Sequence, residues 1–253
     1  MPIALRTSII GGQLIEYDSL ASTNKTAAEL LSLSKLRHGA VVLAHEQTDG
    51  RGQRGRSWIS RNGLDLTFSI VLRPEGLRAD AQFALAKIAA LAVHDVVSHA
   101  VPGEVRIKWP NDILVDRKKV SGILIKNEVI GELVMSSIVG IGLNVNSTGL
   151  DPDLVGTSLA MEGGRSVDRI TLLGTLCERF EHWWLQWSHD REQGLDAYSE
   201  RLWARGRWAD VVLDDQPVSV RPMDVDTAGR LIVEHEDGRV LAYGLDRLRF
   251  APR

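Results

Sequence analysis

The chain has 253 residues, of which 44% are hydrophobic and 25% are charged, and its formal net charge at pH 7 is −3. This composition is typical of a globular protein and excludes a disordered or fibrous chain. The slightly negative charge excludes a broadly basic protein that coats nucleic acid, so any anion-binding site must be local. The single cysteine, Cys177, excludes an intrachain disulfide and a cysteine-rich metal site.

The sequence contains no segment that predicts insertion into a membrane. The N-terminus has no basic start followed by a long apolar run, so no signal peptide is predicted. The most apolar helical stretch, residues 83–97, is interrupted by Lys87, His94 and Asp95 and is too short to span a bilayer. The sequence therefore predicts a soluble protein of a reducing compartment, the cytoplasm, without a membrane partner.

The first elements are a helix and two strands. Residues 23–36 predict a helix that Ser22 or Thr23 caps. Residues 41–45 form a short apolar run that predicts a buried strand. Apolar residues then alternate with polar or smaller ones over residues 64–72, which is strand periodicity.

The middle of the chain is rich in strands and is framed by helices. Helices are predicted over residues 79–100, 170–187 and 192–201, and consecutive strands over residues 105–146. Strands that follow one another without intervening helices favour an α+β fold with a mixed or antiparallel sheet over a strict βαβ series.

Composition shifts at about Gly206, where short strands joined by Asp, Gly and Pro turns begin. Strands at this spacing predict a small all-β barrel. We therefore predict two domains, a catalytic domain over residues 1–205 and a small barrel over residues 206–253.

The sequence GRGQRGRSW, residues 50–58, has the G-x-G-x-x-G spacing of dinucleotide-binding proteins. That motif requires a helix immediately after the glycines, but a turn and another strand follow here, which disfavours a dinucleotide site. A surface hairpin loop with solvated arginines is the plainer alternative.

Residue chemistry favours a ligand clamp over that plain loop. Glycines leave the backbone free to wrap around a ligand. Arginines supply forked, permanently charged donors that match phosphate or carboxylate, and Trp58 adds a flat face for a base. Such a loop is expected to be mobile when empty. Its arginines are Arg51, Arg54 and Arg56.

A second polar segment, KWPNDILVDRKKVSGILIK, covers residues 108–126. Its Pro-Asn turn presents Asn111 and Asp112 at a strand end, a common place for site residues. A plain turn in which Asn111 bonds its own backbone remains an alternative. Lys119 opens an apolar strand and could simply extend to solvent at its edge. Gly122 within that strand indicates a close approach to the backbone.

Two shorter motifs complete the set. GIGLNVN, residues 140–146, interrupts a strand with Gly140 and Gly142 and places Asn144 on its other face; the glycines could also form a bulge. ASTN, residues 21–24, could be no more than a helix cap.

In this order, STN, HEQTDGRGQRGRSW, KWPNDI, KKVSGIL and GIGLNVN resemble the biotin–protein ligases over most of residues 17–147. The resemblance implies a class II synthetase-like catalytic domain followed by an SH3-like C-terminal barrel. It also implies that biotin and ATP, with Mg²⁺, give biotinyl-5′-AMP, and that biotin then passes to one lysine of a biotin carboxyl carrier protein.

The resemblance also implies roles for particular residues. The family's catalytic lysine lies eleven residues after the lysine of KWPND and three before the glycine of GIL, which selects Lys119 over Lys118. Arg51 and Asp112 are the other implied catalytic residues. Metal ligands are left unassigned, because phosphates and water can hold Mg²⁺. The implied biotin-binding residues are Ser22, Thr23, Asn24, Gln47, Gly50, Arg51, Lys119 and Gly122. The implied ATP- and adenylate-binding residues are Arg51, Arg54, Arg56, Trp58, Asn111, Lys119 and Asn144.

The residue types agree with that chemistry. Arg51 and Lys119 can offset the repulsion between biotin's carboxylate and the α-phosphate. Closure of the arginine loop would keep water from the mixed anhydride. We hypothesise that Asp112 orients or deprotonates the incoming lysine in the transfer step.

Two features distinguish this chain from other members of the family that it resembles. Gln53 stands where the family's loop has its second arginine, and this loss of charge is expected to weaken retention of the adenylate. The first motif begins about twenty residues in, so we expect no N-terminal helix-turn-helix and no DNA binding.

Two rival functions remain open. A lipoate–protein ligase or octanoyltransferase would share the scaffold but is not expected to carry this arginine loop with its tryptophan. A catalytically silent biotinyl-adenylate-binding protein is disfavoured because Lys119 and Arg51 are both present.

Overall fold

A computed structural model describes residues 7–149, 155–192 and 194–251. Seven strands of its first part form one sheet, in which β1 and β2 are parallel and all other neighbours are antiparallel. The predicted α+β class with a mixed sheet is confirmed. In chain order the strands are β1 (Leu14–Leu20), β2 (Val41–Gln47), β3 (Leu66–Leu72), β4 (Val105–Lys108), β5 (Asp112–Val115), β6 (Lys118–Ile130) and β7 (Leu133–Leu143), and the spatial order is β1-β2-β3-β7-β6-β5-β4.

Helices cover both faces of this sheet. Val41 and Leu43 of β2 belong to the large core that includes α2 and α4, whereas Val42 belongs to a smaller core under α1. Successive strand residues point to opposite faces, so the two cores lie on opposite sides. All of β3 is therefore buried, its polar residues included. The helices are α1 (Thr23–Ser32), α2 (Ala84–Ala100), α3 (Leu159–Gly163), α4 (Arg169–His189) and α5 (Ala197–Glu200).

The central helix is longer than its apolar run in the sequence. A 3₁₀ turn over Ala79–Ala81 leads into α2, and together they give a stretch, Ala79–Ala100, that is long and apolar enough to cross a membrane. Half of the most apolar 18 residues of this stretch are buried within the protein, where α2 packs against α4 and the sheet. This contact identifies α2 as the core helix of the fold.

Two predicted helices are shorter than expected. The helix predicted over residues 23–36 ends at Ser32, because Ser34 adopts a left-handed backbone with φ of 55°; its N-cap residue Ser22 makes no side-chain capping bond. The helix predicted over residues 192–201 is reduced to α5. The Gly194 N–H bonds the Asp190 carbonyl in a turn, and glycine is a poor helix former. Gln193 lies outside the described residues.

A second, antiparallel sheet of five strands, here called the C-terminal sheet, follows α5. It confirms the predicted β-rich tail. Its edge strands, β11 and β12, are not neighbours within the part of the chain that the structure describes, so closure into a barrel stays a prediction, as does the boundary at residue 206. The strands are β8 (Ala209–Leu213), β9 (Gln216–Val225), β10 (Leu231–His235), β11 (Val240–Tyr243) and β12 (Leu248–Phe250), in the order β11-β10-β9-β8-β12.

Glu181 of α4 fastens the N-terminal segment to the large core. Its buried carboxylate accepts three backbone N–H bonds, from Ser8 at 2.8 Å, Ile9 at 2.6 Å and Ile10 at 2.8 Å. Glu181→Ala is expected to lower the free energy of unfolding by about 3 kcal/mol, because three backbone donors, of which the Ile10 N–H is buried, lose a charged partner. Urea denaturation measures the change against Glu178→Ala on the same helix. Equal midpoints for the two variants would contradict this role.

Candidate functional site

A hydrogen-bond network joins the start of α1 to the end of β2 and the middle of β3. Gln47 Oε1 at the end of β2 accepts bonds from the Thr23 backbone N–H at 2.7 Å and from Thr23 Oγ1 at 3.2 Å. The Ser69 hydroxyl of β3 lies 2.8 Å from Thr23 Oγ1 and 2.7 Å from Asn24 Oδ1. The STN and HEQT motifs therefore meet at one point. Ser69 was not predicted from the sequence, in which its signal was a polar position in an apolar strand.

Three glycines of β6 and β7 form a flat surface beside this network, and this surface is called the glycine floor. They are Gly122, Gly140 and Gly142. A Cβ at Gly140 would lie 2.3 Å from Asn24 Oδ1, and a Cβ at Gly142 would lie 2.2 Å from Trp58 Cε2. Gly142 pairs across the ladder with Gly122, where a Cβ would lie 3.0 Å from Trp58 Cζ3. The register shift of these strands lies elsewhere, so the bulge alternative for GIGLNVN is wrong. The glycines leave room for Asn24 and Trp58.

Lys119 lies at the edge of this floor. Its Nζ is 2.7 Å from Asp112 Oδ1 and 5.6 Å from the centroid of the Trp58 ring, a cation–π distance. The pair is half-buried, with 35% of the Lys119 side chain and 20% of the Asp112 side chain exposed. Thus KWPND, KKVSGIL and the end of the glycine–arginine loop converge on one ammonium group.

Lys118 points to a different partner. Its Nζ lies 2.9 Å from Glu162 Oε1, which also accepts a bond from Thr157 Oγ1 at 2.5 Å. Burial raises the pKa of the Glu162 carboxyl, but the bonds from Thr157 and Lys118 outweigh burial and hold the pKa below its usual value. An ionised Glu162 therefore holds Lys118, and the two adjacent lysines occupy separate environments.

The two asparagines of the motifs bond to other parts of the backbone. Asn111 Nδ2 donates to the Ile123 carbonyl at 2.8 Å, so the alternative in which Asn111 bonds its own turn is wrong. Asn144 is buried and its Nδ2 donates to the Thr157 carbonyl at 2.9 Å. Both amides brace the strands around Lys119. Their contacts with a nucleotide stay predictions.

Residues on either side of the floor hold it in place. Asp65, which is 2% exposed, accepts bonds from the Val145 N–H at 3.1 Å and the Ser147 hydroxyl at 2.6 Å. The Lys119 backbone pairs with residues 155–157, donating its N–H to the Val155 carbonyl at 3.0 Å. Neither contact was predicted from the sequence. A lone acid at the start of an apolar strand was the only signal for Asp65.

The glycine–arginine loop forms a hairpin closed by main-chain bonds. Gly52 N–H donates to the Arg56 carbonyl at 2.6 Å, and Trp58 N–H donates to the Gly50 carbonyl at 2.8 Å. Gly50 is required there, because a Cβ would lie 2.3 Å from the Trp58 carbonyl oxygen. The hairpin therefore directs Trp58 onto the floor.

The loop's arginine side chains lie at its surface. Arg51 is exposed and pairs with Asp49 at 3.1 Å. Arg56 is exposed, and Arg54 lines a cleft of about 260 Å³ with residues of the C-terminal sheet, among them Asp214, Asp215 and Asp246. The structure thus brings Trp58 to Lys119, whereas the predicted contacts of these arginines with a nucleotide remain predictions.

Ser22 is buried beside this network, next to Thr23. Among the described residues, no group of three or more His, Cys, Asp or Glu side chains is placed to hold a metal ion.

The arrangement offers a polar recess at Thr23 and Gln47, a flat glycine floor under an aromatic ring, and one ammonium group at the recess edge. It suits a ligand with a polar head and an anionic end.

Comparison with known proteins decides the family. The model of the biotin/lipoate A/B protein ligase family matches residues 17–144, half of the chain. The chain belongs to this family. The match begins in β1 and ends at Asn144, so it includes every motif of the site except the last two residues of GIGLNVN.

Two curated relatives are similar to this chain over more residues than the family model matches. The bifunctional ligase/repressor BirA of Bacillus subtilis is 39% identical over 182 residues, which cover 70% of this chain and 55% of that protein. The chain thus spans about half the length of this relative. The biotin–[acetyl-CoA-carboxylase] ligase of Mycobacterium tuberculosis is 32% identical over 240 residues, covering 91% of this chain and 88% of that one.

A solved structure shares the fold over nearly the whole chain. The biotin protein ligase of Aquifex aeolicus, in complex with biotin and ATP, superposes with a TM-score of 0.79 at 23% identity and covers 96% of this chain and 100% of its own. This likeness concerns the fold, including the C-terminal sheet.

Proposed function

We propose that this chain is an ATP-dependent biotin–protein ligase of the cytoplasm. It would form biotinyl-5′-AMP from biotin and ATP and transfer biotin to a lysine of a biotin carboxyl carrier protein. The observation that carries the proposal is the Lys119 ammonium, paired with Asp112 at 2.7 Å and set against Trp58 at the end of the glycine–arginine loop. Relatives named as biotin ligases over most of this chain support it.

The polar recess suits the cyclic urea of biotin. A urea offers one carbonyl acceptor and two N–H donors, and Thr23 and Gln47 supply hydroxyl and amide groups already held by Ser69 and by each other. Fixing these groups before the ligand binds reduces the entropy lost on binding. Ser22 and Asn24 border the recess, and Gly122 supplies backbone. Biotin's carboxylate would then extend toward Lys119.

In the first half-reaction, a biotin carboxylate oxygen attacks the α-phosphorus of ATP. The new bond joins that oxygen to phosphorus, and the bond to pyrophosphate breaks. Lys119, aimed by Asp112, would stabilise negative charge on the phosphate oxygens, and Arg51 would join it when the loop closes. ATP phosphates would bring Mg²⁺, which neutralises charge on the leaving group.

In the second half-reaction, the carrier's lysine attacks the acyl carbonyl and AMP leaves. The attacking amine must lose a proton, and Asp112, the carboxylate that pairs with Lys119 among the described residues, could accept it or orient the amine. The glycine floor and Trp58 would keep water away from the anhydride meanwhile.

Incubation of the purified chain with ATP, biotin and a carrier domain tests the proposal. Biotin should appear on the carrier in a streptavidin blot, with release of pyrophosphate and AMP. Parallel reactions with lipoate or octanoate test the rival ligase or transferase. Binding of biotin by calorimetry without turnover would instead identify a silent binding protein.

Gln53 stands in the glycine–arginine loop where the family has an arginine. We expect the adenylate to leak from the site because this positive charge is missing. Gln53→Arg is expected to reduce labelling of bystander proteins several-fold, because an added guanidinium binds the phosphate of the adenylate. A streptavidin blot of bystander albumin, normalised to carrier labelling, measures it. Gln53→Lys, with the same charge but no fork, separates charge from geometry. Unchanged bystander labelling in both variants would dismiss the idea.

A further inference from the structure

The C-terminal sheet touches the segment that carries Asn111 and Asp112. The indole Nε1 of Trp109, a side chain that is 2% exposed, donates a hydrogen bond of 2.9 Å to the Gly229 carbonyl in the turn between β9 and β10. Residues 109 and 229 are far apart in sequence. This bond therefore joins the C-terminal sheet to the KWPND motif.

The turn that holds Gly229 is itself closed. The Asp226 N–H donates to the Arg230 carbonyl at 3.0 Å, and the Arg230 N–H donates to Asp226 Oδ1 at 2.8 Å. Gly229 N–H donates to the Asp226 carbonyl at 3.0 Å. The Gly229 carbonyl is thus a fixed acceptor.

Only glycine fits at position 229. Its φ is +84°, in the left-handed region, and a Cβ there would lie 2.4 Å from Cδ2 of Phe83, the residue that precedes α2. Nearby, Lys87 Nζ donates to the Val225 carbonyl at 3.0 Å, and Ser199 bonds Asp224. The turn therefore lies tightly against the start of α2, and the end of β9 that precedes the turn is bonded to α2 and α5.

The other end of this connection reaches the candidate site. Trp109 and Asp112 are three residues apart in one tight turn, and Asp112 holds Lys119 at 2.7 Å. Asn111 of the same turn is fixed to Ile123 at 2.8 Å. A shift of the Trp109 ring would move Asp112 and, with it, the direction of the Lys119 ammonium.

We propose that the Gly229 turn of the C-terminal sheet is a positioning element for adenylate formation, acting through Trp109 on Asp112 and Lys119. The proposal rests on the proposed function and deepens it. Thr23 and Gln47, the biotin-recess residues, lie on α1 and β2 and have no part in this connection. The element should therefore act on kcat and leave the KM for biotin unchanged.

Two variants and one matched control test this inference in the full chain. Trp109→Phe removes the N–H donor together with part of the buried ring, and Gly229→Ala pushes the turn away from Phe83. Gly238→Ala is the control, since Gly238 has φ of +83° in the next turn of the same sheet but nothing within 4 Å of its Cβ position. We expect both test variants to lower kcat for pyrophosphate release at least tenfold, with KM for biotin within twofold, and the control to keep kcat.

Hydrogen–deuterium exchange gives a readout that does not need turnover. Amides of residues 109–114 should exchange faster in both test variants than in wild type and in Gly238→Ala. Unchanged exchange, or faster exchange with unchanged kcat, would overturn the inference. If Gly229→Ala does not fold, Trp109→Phe decides alone. If the wild type makes no adenylate, the proposed function fails, and exchange still decides whether the Gly229 turn holds this segment.

Discussion

Lys119→Gln is expected to lower kcat for biotinyl-adenylate formation by about 10²–10³-fold, the usual cost of losing one charged group that stabilises a transition state. The Lys119 ammonium is the cation that the structure aims into the site, through its 2.7 Å pair with Asp112 and its contact with the Trp58 ring. Pyrophosphate release at saturating biotin and ATP measures the loss.

Lys118→Gln is the matched control for this prediction. It is the same substitution one residue earlier, on a side chain that is half exposed and bound to Glu162. Its loss should leave kcat within about twofold, since an exposed ion pair contributes only about 0–1 kcal/mol to stability. Equal losses in the two variants, or full activity of Lys119→Gln, would remove the central element of the proposed mechanism.

Gly142→Ala is expected to lower the rate of adenylate formation by about 100-fold, because displacement of site groups by about 1 Å costs on this order. A Cβ at position 142 would lie 2.2 Å from Trp58 Cε2 and 2.6 Å from both Cζ2 and Nε1, so the whole indole ring has to move. Trp58 must therefore leave the floor and its contact with Lys119. Single-turnover formation of the adenylate measures the effect.

Repeating Gly142→Ala in a chain without the Trp58 ring distinguishes a clash with that ring from a general loss of stability. In a Trp58→Leu chain, Gly142→Ala should cost much less, because the smaller side chain leaves room; coupled neighbours show such non-additivity. Gly12→Ala, at a glycine that like Gly142 lies outside the left-handed region and whose Cβ position meets only the Ile9 carbonyl oxygen at 3.4 Å, reports the general cost of replacing glycine by alanine. A full loss in the Trp58→Leu background would show that the ring is not the cause.

Local patterns in the sequence were enough for the class of the fold and for the motifs. Apolar runs and alternation gave β2, β3 and the consecutive strands β4 to β7, because strand and helix periods are properties of neighbouring residues. The resemblance to the biotin–protein ligases implied Lys119 rather than Lys118, and the structure places Lys119 beside Asp112 and Trp58 and Lys118 beside Glu162. Helix ends were less predictable, since single residues such as Ser34 and Gly194 decide them.

The sequence by itself determined which residues make up the motifs, and so the family. Tertiary structure alone decided that Asn24 fills the space above Gly140, that Ser69 and Asp65 brace the site, and that Gly229 holds Trp109. These contacts join residues far apart in the chain, and no periodicity relates such positions. Whether a glycine marks a bulge or makes room for a ring depends on what packs above it, which only the folded chain defines.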